Sequence, residues 1–325
     1  MKRTLCGAAM LALLGTSALA TEKMRISLQL PLTSHLGENL QLFEKEVEAR
    51  TGGAIDVEIY DSAQLYKDKE VPAAVGSGAI EAGVASLTRY VGDAPVVDVF
   101  YLPFLFNTEE KVRAAVAEGS PVRSIIEGEV AKTGGQILFW QAYGGAVMLS
   151  NGAPVKRPED LKGKKVRVFG KTLGDFVTAA GGAPTLISGS EQYLAYQRGT
   201  VDVGMTGVSG VKSRKLWEVM DTITVTNNAD IEFVVVVNTD WWNKLSPEIQ
   251  GQISEAASVA QEDVRNRMSQ IEAAAYDAAK ENGMTIVELT DEDVAAWKAV
   301  SQPVYDAFLA ATGDVGKAVL EAAGN

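Results

Sequence analysis

Apolar positions along this chain switch repeatedly between a spacing of two and a spacing of three to four residues. From Lys23 to Leu30 they alternate as in a half-buried strand, which a turn at Pro31 ends. Leu36, Leu40, Phe43 and Val47 then recur at helical spacing and predict a helix from about Leu36 to Thr51, stopped by Gly52-Gly53. A strand at Ile55–Tyr60, a helix at Lys69–Gly78 and a strand at Ala82–Ser86 follow. This β-α-β-α-β rhythm implies parallel strands with helices on both faces. A second series begins near Gln136. It holds a strand at Lys165–Phe169, helices at about Leu173–Ala180 and Glu191–Arg198, and strands at Val201–Met205 and Glu232–Asn238. Two such modules predict an α/β chain of two lobes with a cleft between them, and crevices of this kind favour ligands.

The stretch Ser246–Gly283 differs from the rest. Ser246 suits an N-cap, Pro247 the first helical position and Glu248 the positive end of the helix dipole. Ile249, Ile253, Ala257, Ala260, Val264, Met268 and Ile271 keep one apolar stripe, and Asn282-Gly283 closes it. A helix of roughly 35 residues would be about 50 Å long, enough to lie across both lobes. The stripe is rich in alanine and lacks the leucine heptad of a coiled coil.

The first twenty residues read as an export leader. Lys2 and Arg3 are basic, Ala8–Leu14 is apolar, and Ala18-Leu19-Ala20 fits a cleavage site, so a mature chain from Thr21 is expected. The apolar stretch is too short for a membrane span. Cys6 is the chain's single cysteine and lies in the leader, so the mature part is stabilised without disulfides. Net charge is −12, from 42 acidic and 30 basic residues, which argues against nucleic acid as a partner. A small anion is not excluded, because a basic pocket can sit in an acidic protein.

Motifs for catalysis are missing. There is one histidine, His35, and neither a phosphate loop nor a nucleophile elbow; Gly170-Lys171-Thr172 lacks the glycine such a loop needs at position 165. No catalytic residue, metal or cofactor is expected. Asp230 and Glu232 read as ordinary surface charge. Binding signals are better. In Lys165-Val166-Arg167-Val168 the two valines face one way and Arg167 the other, so a strand can hold a guanidinium over a cleft to clamp a carboxylate. The same pattern fits a solvated surface arginine. Gln29 and Arg89 also follow strand ends, while Trp140 and Tyr143 can form an apolar wall.

An ordered set of segments carries a family resemblance. They are Asp61-Ser62-Ala63-Gln64-Leu65, Leu102-Pro103-Phe104, Asp160–Val168, Gly181-Gly182-Ala183-Pro184, Glu191-Gln192-Tyr193 and Gly199-Thr200-Val201-Asp202. With these the mature chain resembles the substrate-binding proteins of tripartite ATP-independent periplasmic (TRAP) transporters, the DctP-like family. The resemblance implies a two-lobed periplasmic binding protein fold with a long helix spanning both lobes. It implies a monomer that captures a small organic acid in the periplasm and delivers it to a TRAP membrane permease. A ligand-binding sensor and, further off, an exported carboxylate-processing enzyme are the alternatives. Lobe I is expected at residues 21–144 with about 232–271, and lobe II at 145–231 with about 272–325.

In this family the arginine matching Arg167 pairs with the ligand carboxylate. Positions matching Gln29, Asp68, Ser86 and Arg89 line one lobe's side, and those matching Gly189, Thr206 and Asn227 or Asn228 the other. Three departures stand out. The second arginine of sialic-acid-type members is replaced by the run Ala146-Val147-Met148, an asparagine is common where Thr206 stands, and a phenylalanine where Gly189 stands. A second anchor is therefore expected elsewhere, at Arg89 or Lys171.

Overall fold

The computed structural model describes residues 21–324; the expected leader and Cys6 lie outside the described residues. Ten strands run in chain order as β1 (Glu22–Ser27), β2 (Ile55–Tyr60), β3 (Ala82–Ser86), β4 (Gly135–Ser150), β5 (Lys165–Val168), β6 (Ala183–Leu186), β7 (Val203–Gly207), β8 (Thr222–Val225), β9 (Asp230–Asn238) and β10 (Thr285–Glu288). The main path through the sheet is β2-β1-β3-β9-β4-β7-β5-β6, with β8 on β4 and β10 on β8. Strand β1 is parallel to β2 and β3, and β5 is parallel to β6 and β7. The expected all-parallel pairing fails at the centre, where β9 is antiparallel to both β3 and β4 and β4 is antiparallel to β7.

The two lobes share one strand. Residues 135–145 of β4 pair with β9, while residues 146–150 pair with β7 and, in part, with β8. Between these halves a register shift at Ala142/Gly144 bends the strand, and Gly144 adopts φ +94°. An L side chain is strained there, and a Cβ would lie 2.3 Å from Glu272 Oε1. Sequence periodicity conceals a 16-residue strand of this kind, because each bulge resets the alternation.

Helix His35–Thr51 forms as its spacing predicts. Leu36, Leu40, Phe43 and Val47 are fully buried, Ser34 Oγ accepts from Gly37 N at 3.1 Å, and left-handed Gly52 ends the helix. The long helix is Pro247–Glu281, capped by Ser246 Oγ accepting from Ile249 N. Its Ile253, Ala256, Ala257 and Ala260 join the larger core cluster with Leu36, Leu40 and Phe43, whereas Ala275 and Ala279 join a separate cluster with Val147, Leu149, Val208 and Val211. Small residues let the spine lie close to both lobes. The last helix, Gln302–Gly324, packs on Pro95–Tyr101, Pro121–Ala131 and Lys171–Ala179, tying segments from both lobes together.

One expectation about charge is wrong. Glu232 is fully buried on β9 and forms a two-pronged ion pair with Arg265 of the long helix, at 2.6 and 2.8 Å. Its partner lies 33 residues away, beyond the reach of local pattern. An unpaired carboxylate at that depth would cost several kcal/mol.

Candidate ligand-binding cleft

Four strands deliver side chains to one narrow cleft between the lobes. The chain beyond β1 brings Gln29, β3 ends at Ser86, β5 carries Arg167, and β7 carries Thr206. Side chains at the carboxyl ends of parallel strands project into such crevices. Asp68 opens a short 3-10 turn, Gly189 opens another, and Tyr143 follows the bend of β4. Phe169, Ile231 and Phe233 add an apolar wall, and Arg214 reaches in from the end of the helix Val208–Ser213.

Arg167 is 3% exposed. Its Nε donates to the Ile187 carbonyl at 3.0 Å and Nη1 to the Met205 carbonyl at 2.5 Å, and the Phe169 ring centroid lies 5.4 Å from Cζ. Those two carbonyls fix the plane of the guanidinium, and among the described residues Nη2 has no acceptor. Burial brings its pKa from 12.5 down to about 10, and Arg214 and Arg89 nearby push the same way. Among the described residues no carboxylate pairs with it. Gln29 is 5% exposed, and its Oε1 lacks a hydrogen-bond partner.

Several residues singled out from sequence are elsewhere. Arg89 Nε donates to Asp68 Oδ2 at 2.5 Å while its buried Nη2 has no partner among the described residues, and the same carboxylate accepts from Ser86 N at 2.9 Å and Ser86 Oγ at 3.1 Å. Arg89 is not among the residues that line the cleft. Lys171 reaches Asp175 at 2.6 Å on the surface, one helical turn on. Trp140 is fully buried against Phe100 and donates from Nε1 to Glu127 at 3.0 Å. Tyr143 lines the cleft and Trp140 does not, so the two do not share one wall. Asn228 accepts from Thr226 Oγ1 through Oδ1 and from Phe104 N through its carbonyl. Asn227, at φ +40°, borders a second cavity beneath the long helix, with Asp230, Arg265 and Glu272. That cavity lies at the bend of β4, away from the four strand ends.

The sequence reading missed Arg214. Its Nη2 donates to Tyr143 Oη at 3.0 Å and Thr206 Oγ1 at 3.1 Å, and Nε donates to the Gly210 carbonyl at 3.3 Å. The signal was an arginine four residues after a glycine, which lets a side chain lie flat over the helix.

The sequence profile of bacterial extracellular solute-binding protein family 7 (DctP) matches residues 26–312. The chain belongs to that family. This family 7 protein is 32% identical over 274 residues to the C4-dicarboxylate-binding periplasmic protein DctP of Rhodobacter capsulatus, covering 83% of this chain and 81% of that one. It is 26% identical over 303 residues to the 2,3-diketo-L-gulonate-binding periplasmic protein YiaO of Escherichia coli K12, covering 92% and 90%. Its fold matches DctP7 of Bordetella pertussis, an extracytoplasmic solute receptor binding pyroglutamic acid, with a TM-score of 0.89 at 18% identity over 94% of this chain and 100% of that one. The two-lobed architecture of the family 7 protein is thus that of TRAP solute receptors. Among the described residues no helix is long and apolar enough to cross a membrane, and no group of three or more His, Cys, Asp or Glu can hold a metal.

Proposed function

We propose that this family 7 protein is a periplasmic receptor, released by cleavage after Ala20, that closes its two lobes around a small organic acid and hands it to a TRAP-type permease. It acts as a monomer without nucleic acid or catalysis. Lobe I comprises residues 21–144 with about 232–271, and lobe II comprises 145–231 with about 272–325. Arg167 receives the ligand carboxylate, with Gln29, Ser86, Tyr143 and Thr206 around it and Asp68 held in place by Arg89.

The observation that carries this reading is the buried, unpaired guanidinium of Arg167. A buried cation needs a counter-charge and acceptors, and among the described residues two carbonyls supply the acceptors. Opening the cleft rehydrates the cation. Closing it on a carboxylate neutralises the cation instead, so the anion binds the closed form better and shifts the population towards it. Relatives named for C4-dicarboxylate and 2,3-diketo-L-gulonate, and a fold neighbour that binds pyroglutamic acid, agree in taking acids.

The test is a thermal-shift screen of ligand-stripped protein against organic acids, neutral sugars and amines. An acid at a hundred times its Kd adds about 2.7 kcal/mol and raises the transition by several degrees. If neutral compounds raise it and acids do not, the proposal is wrong.

A further inference from the structure

Tyr143 owes its place in the cleft to a bulge. Ala142 pairs with Glu232 and Gly144 with Ile231, so Tyr143 is the extra residue between them. A bulge re-aims the side chain it carries. Here it turns Tyr143 into the cleft, where Oη accepts from Arg214 Nη2 at 3.0 Å. The seat is close-fitting. A Cβ at Gly207 would lie 2.8 Å from Tyr143 Cδ1, and one at Gly210 would lie 2.4 Å from Oη, so a side chain at either position would press on the phenol.

A bulge also takes backbone groups out of the ladder, and they need partners elsewhere. The Ala142 carbonyl meets His35 Nε2 at 3.1 Å. A carbonyl can only accept, so this bond sets the tautomer: Nε2 carries the proton. Burial, with Arg267 and Arg214 adding to it, lowers the imidazole pKa to about 4 and keeps the ring neutral near pH 7. The same ring packs on the Tyr143 ring, centroid to centroid 5.2 Å, and Phe233 packs on it at 5.0 Å. His35 itself stands outside the cleft. It opens the helix His35–Thr51 and lines a separate crevice with Ser34, Lys212 and Arg267. One side chain, 107 residues away in the chain, thus holds the backbone of the bulge and the face of the residue that the bulge carries.

We infer that His35 is a positioning residue for ligand binding: it clips the bulge of β4 so that Tyr143, and through it Arg214, stand ready in the cleft, while His35 never touches the ligand. This rests on the reading of the cleft as a carboxylate site. Without the clip the bulge has other conformations, and a ligand must select the molecules in which Tyr143 is seated. Affinity then falls by the seated fraction, so a seat filled in a tenth of the molecules weakens binding about tenfold.

The test uses three variants at one position. His35→Phe keeps an aromatic ring and loses the donor, His35→Ala loses both, and His35→Gln keeps an N–H donor. Each is titrated calorimetrically with succinate, D-glucuronate and L-pyroglutamate, and the acid that binds wild type most tightly sets the comparison. His35→Phe and His35→Ala should each weaken its Kd roughly five- to thirtyfold, whereas His35→Gln should stay within about threefold. In a Tyr143→Leu background, His35→Phe should change the Kd less than about twofold, because nothing is left to aim. Ligand-free crystal structures should show the Tyr143 hydroxyl drawn away from Arg214 in His35→Ala and in place in His35→Gln. A His35→Ala variant that binds like wild type, an equal loss with and without Tyr143, or a lowered Tm with an unchanged Kd makes His35 a helix-start residue only and overturns the inference. Binding that still requires Arg167 would then keep the carboxylate reading intact. If none of the three acids binds wild type, that reading fails, and the ligand-free structures still decide whether His35 sets Tyr143.

Discussion

Replacing Arg167 by methionine separates a binding residue from a structural one, because the two roles predict opposite outcomes. Keeping the guanidinium charged where burial has brought its pKa from 12.5 to about 10 costs the closed fold about 3 kcal/mol. The sign follows from linkage. A base with a lowered folded pKa opposes folding wherever it is charged in both states, so the cost is complete at every pH below about 10. Methionine removes that cost but strips the donors from the Ile187 and Met205 carbonyls, at about 1–2 kcal/mol each. The terms roughly offset, so the ligand-free variant should melt within about 3 °C of wild type. Binding has no such offset. Loss of the charged partner of a desolvated carboxylate should weaken affinity by about 2–5 kcal/mol, on the order of thirty- to several-thousand-fold. Calorimetry with the best acid from the screen, beside melting curves without ligand, reads both numbers. A Kd changed less than about threefold, well short of that range, would take Arg167 out of the anchor role. A ligand-free variant destabilised by more than about 4 kcal/mol would make it a structural group first, since the two carbonyls cannot account for so much.

Three other perturbations follow from the same coordinates. Glu232→Leu should cost about 3–5 kcal/mol in urea unfolding because it strands Arg265, and adding Arg265→Leu should recover most of the loss; a double variant as unstable as the single would refute the pairing argument. Asp98 is buried with its carboxyl accepting from Thr172 N at 3.2 Å, and burial raises its pKa from 3.8 to about 6. Its contribution is therefore full below pH 3.8 and is lost as pH rises to about 6, so Asp98→Asn should remove that decline, about 3 kcal/mol, from urea midpoints. His35 carries the opposite slope: burial lowers its pKa from 6.5 to about 4, so its contribution is full above pH 6.5 and is lost as pH falls to about 4. His35→Gln should accordingly be less sensitive to acid than wild type over that window, and an unchanged slope would place the imidazole in water.

Local pattern by itself determined the parts whose physics is local. The spacing of Leu36, Leu40, Phe43 and Val47 defined a helix, Ile55–Tyr60 and Ala82–Ser86 were strands to the residue, and Ser246 with Pro247 marked where the long helix starts. Arg167 was legible for the same reason, since alternation with Val166 and Val168 turns it away from the core they join. Tertiary structure decided everything that depends on two distant segments meeting. Which arginine is already paired is such a question: Arg89 meets Asp68 from 21 residues away, and Glu232 meets Arg265. Trp140 packs on Phe100 and donates to Glu127, contacts only the fold brings together, and the bulges of β4 hid from periodicity the strand that joins the lobes. Arg214 was hardest to read, because its neighbours Tyr143, Thr206 and Gly189 come from three separate segments that meet only in the folded chain. Sequence periodicity records which side of an element is buried; the charge left unpaired in the cleft is a sum over both lobes, and only the folded chain performs it.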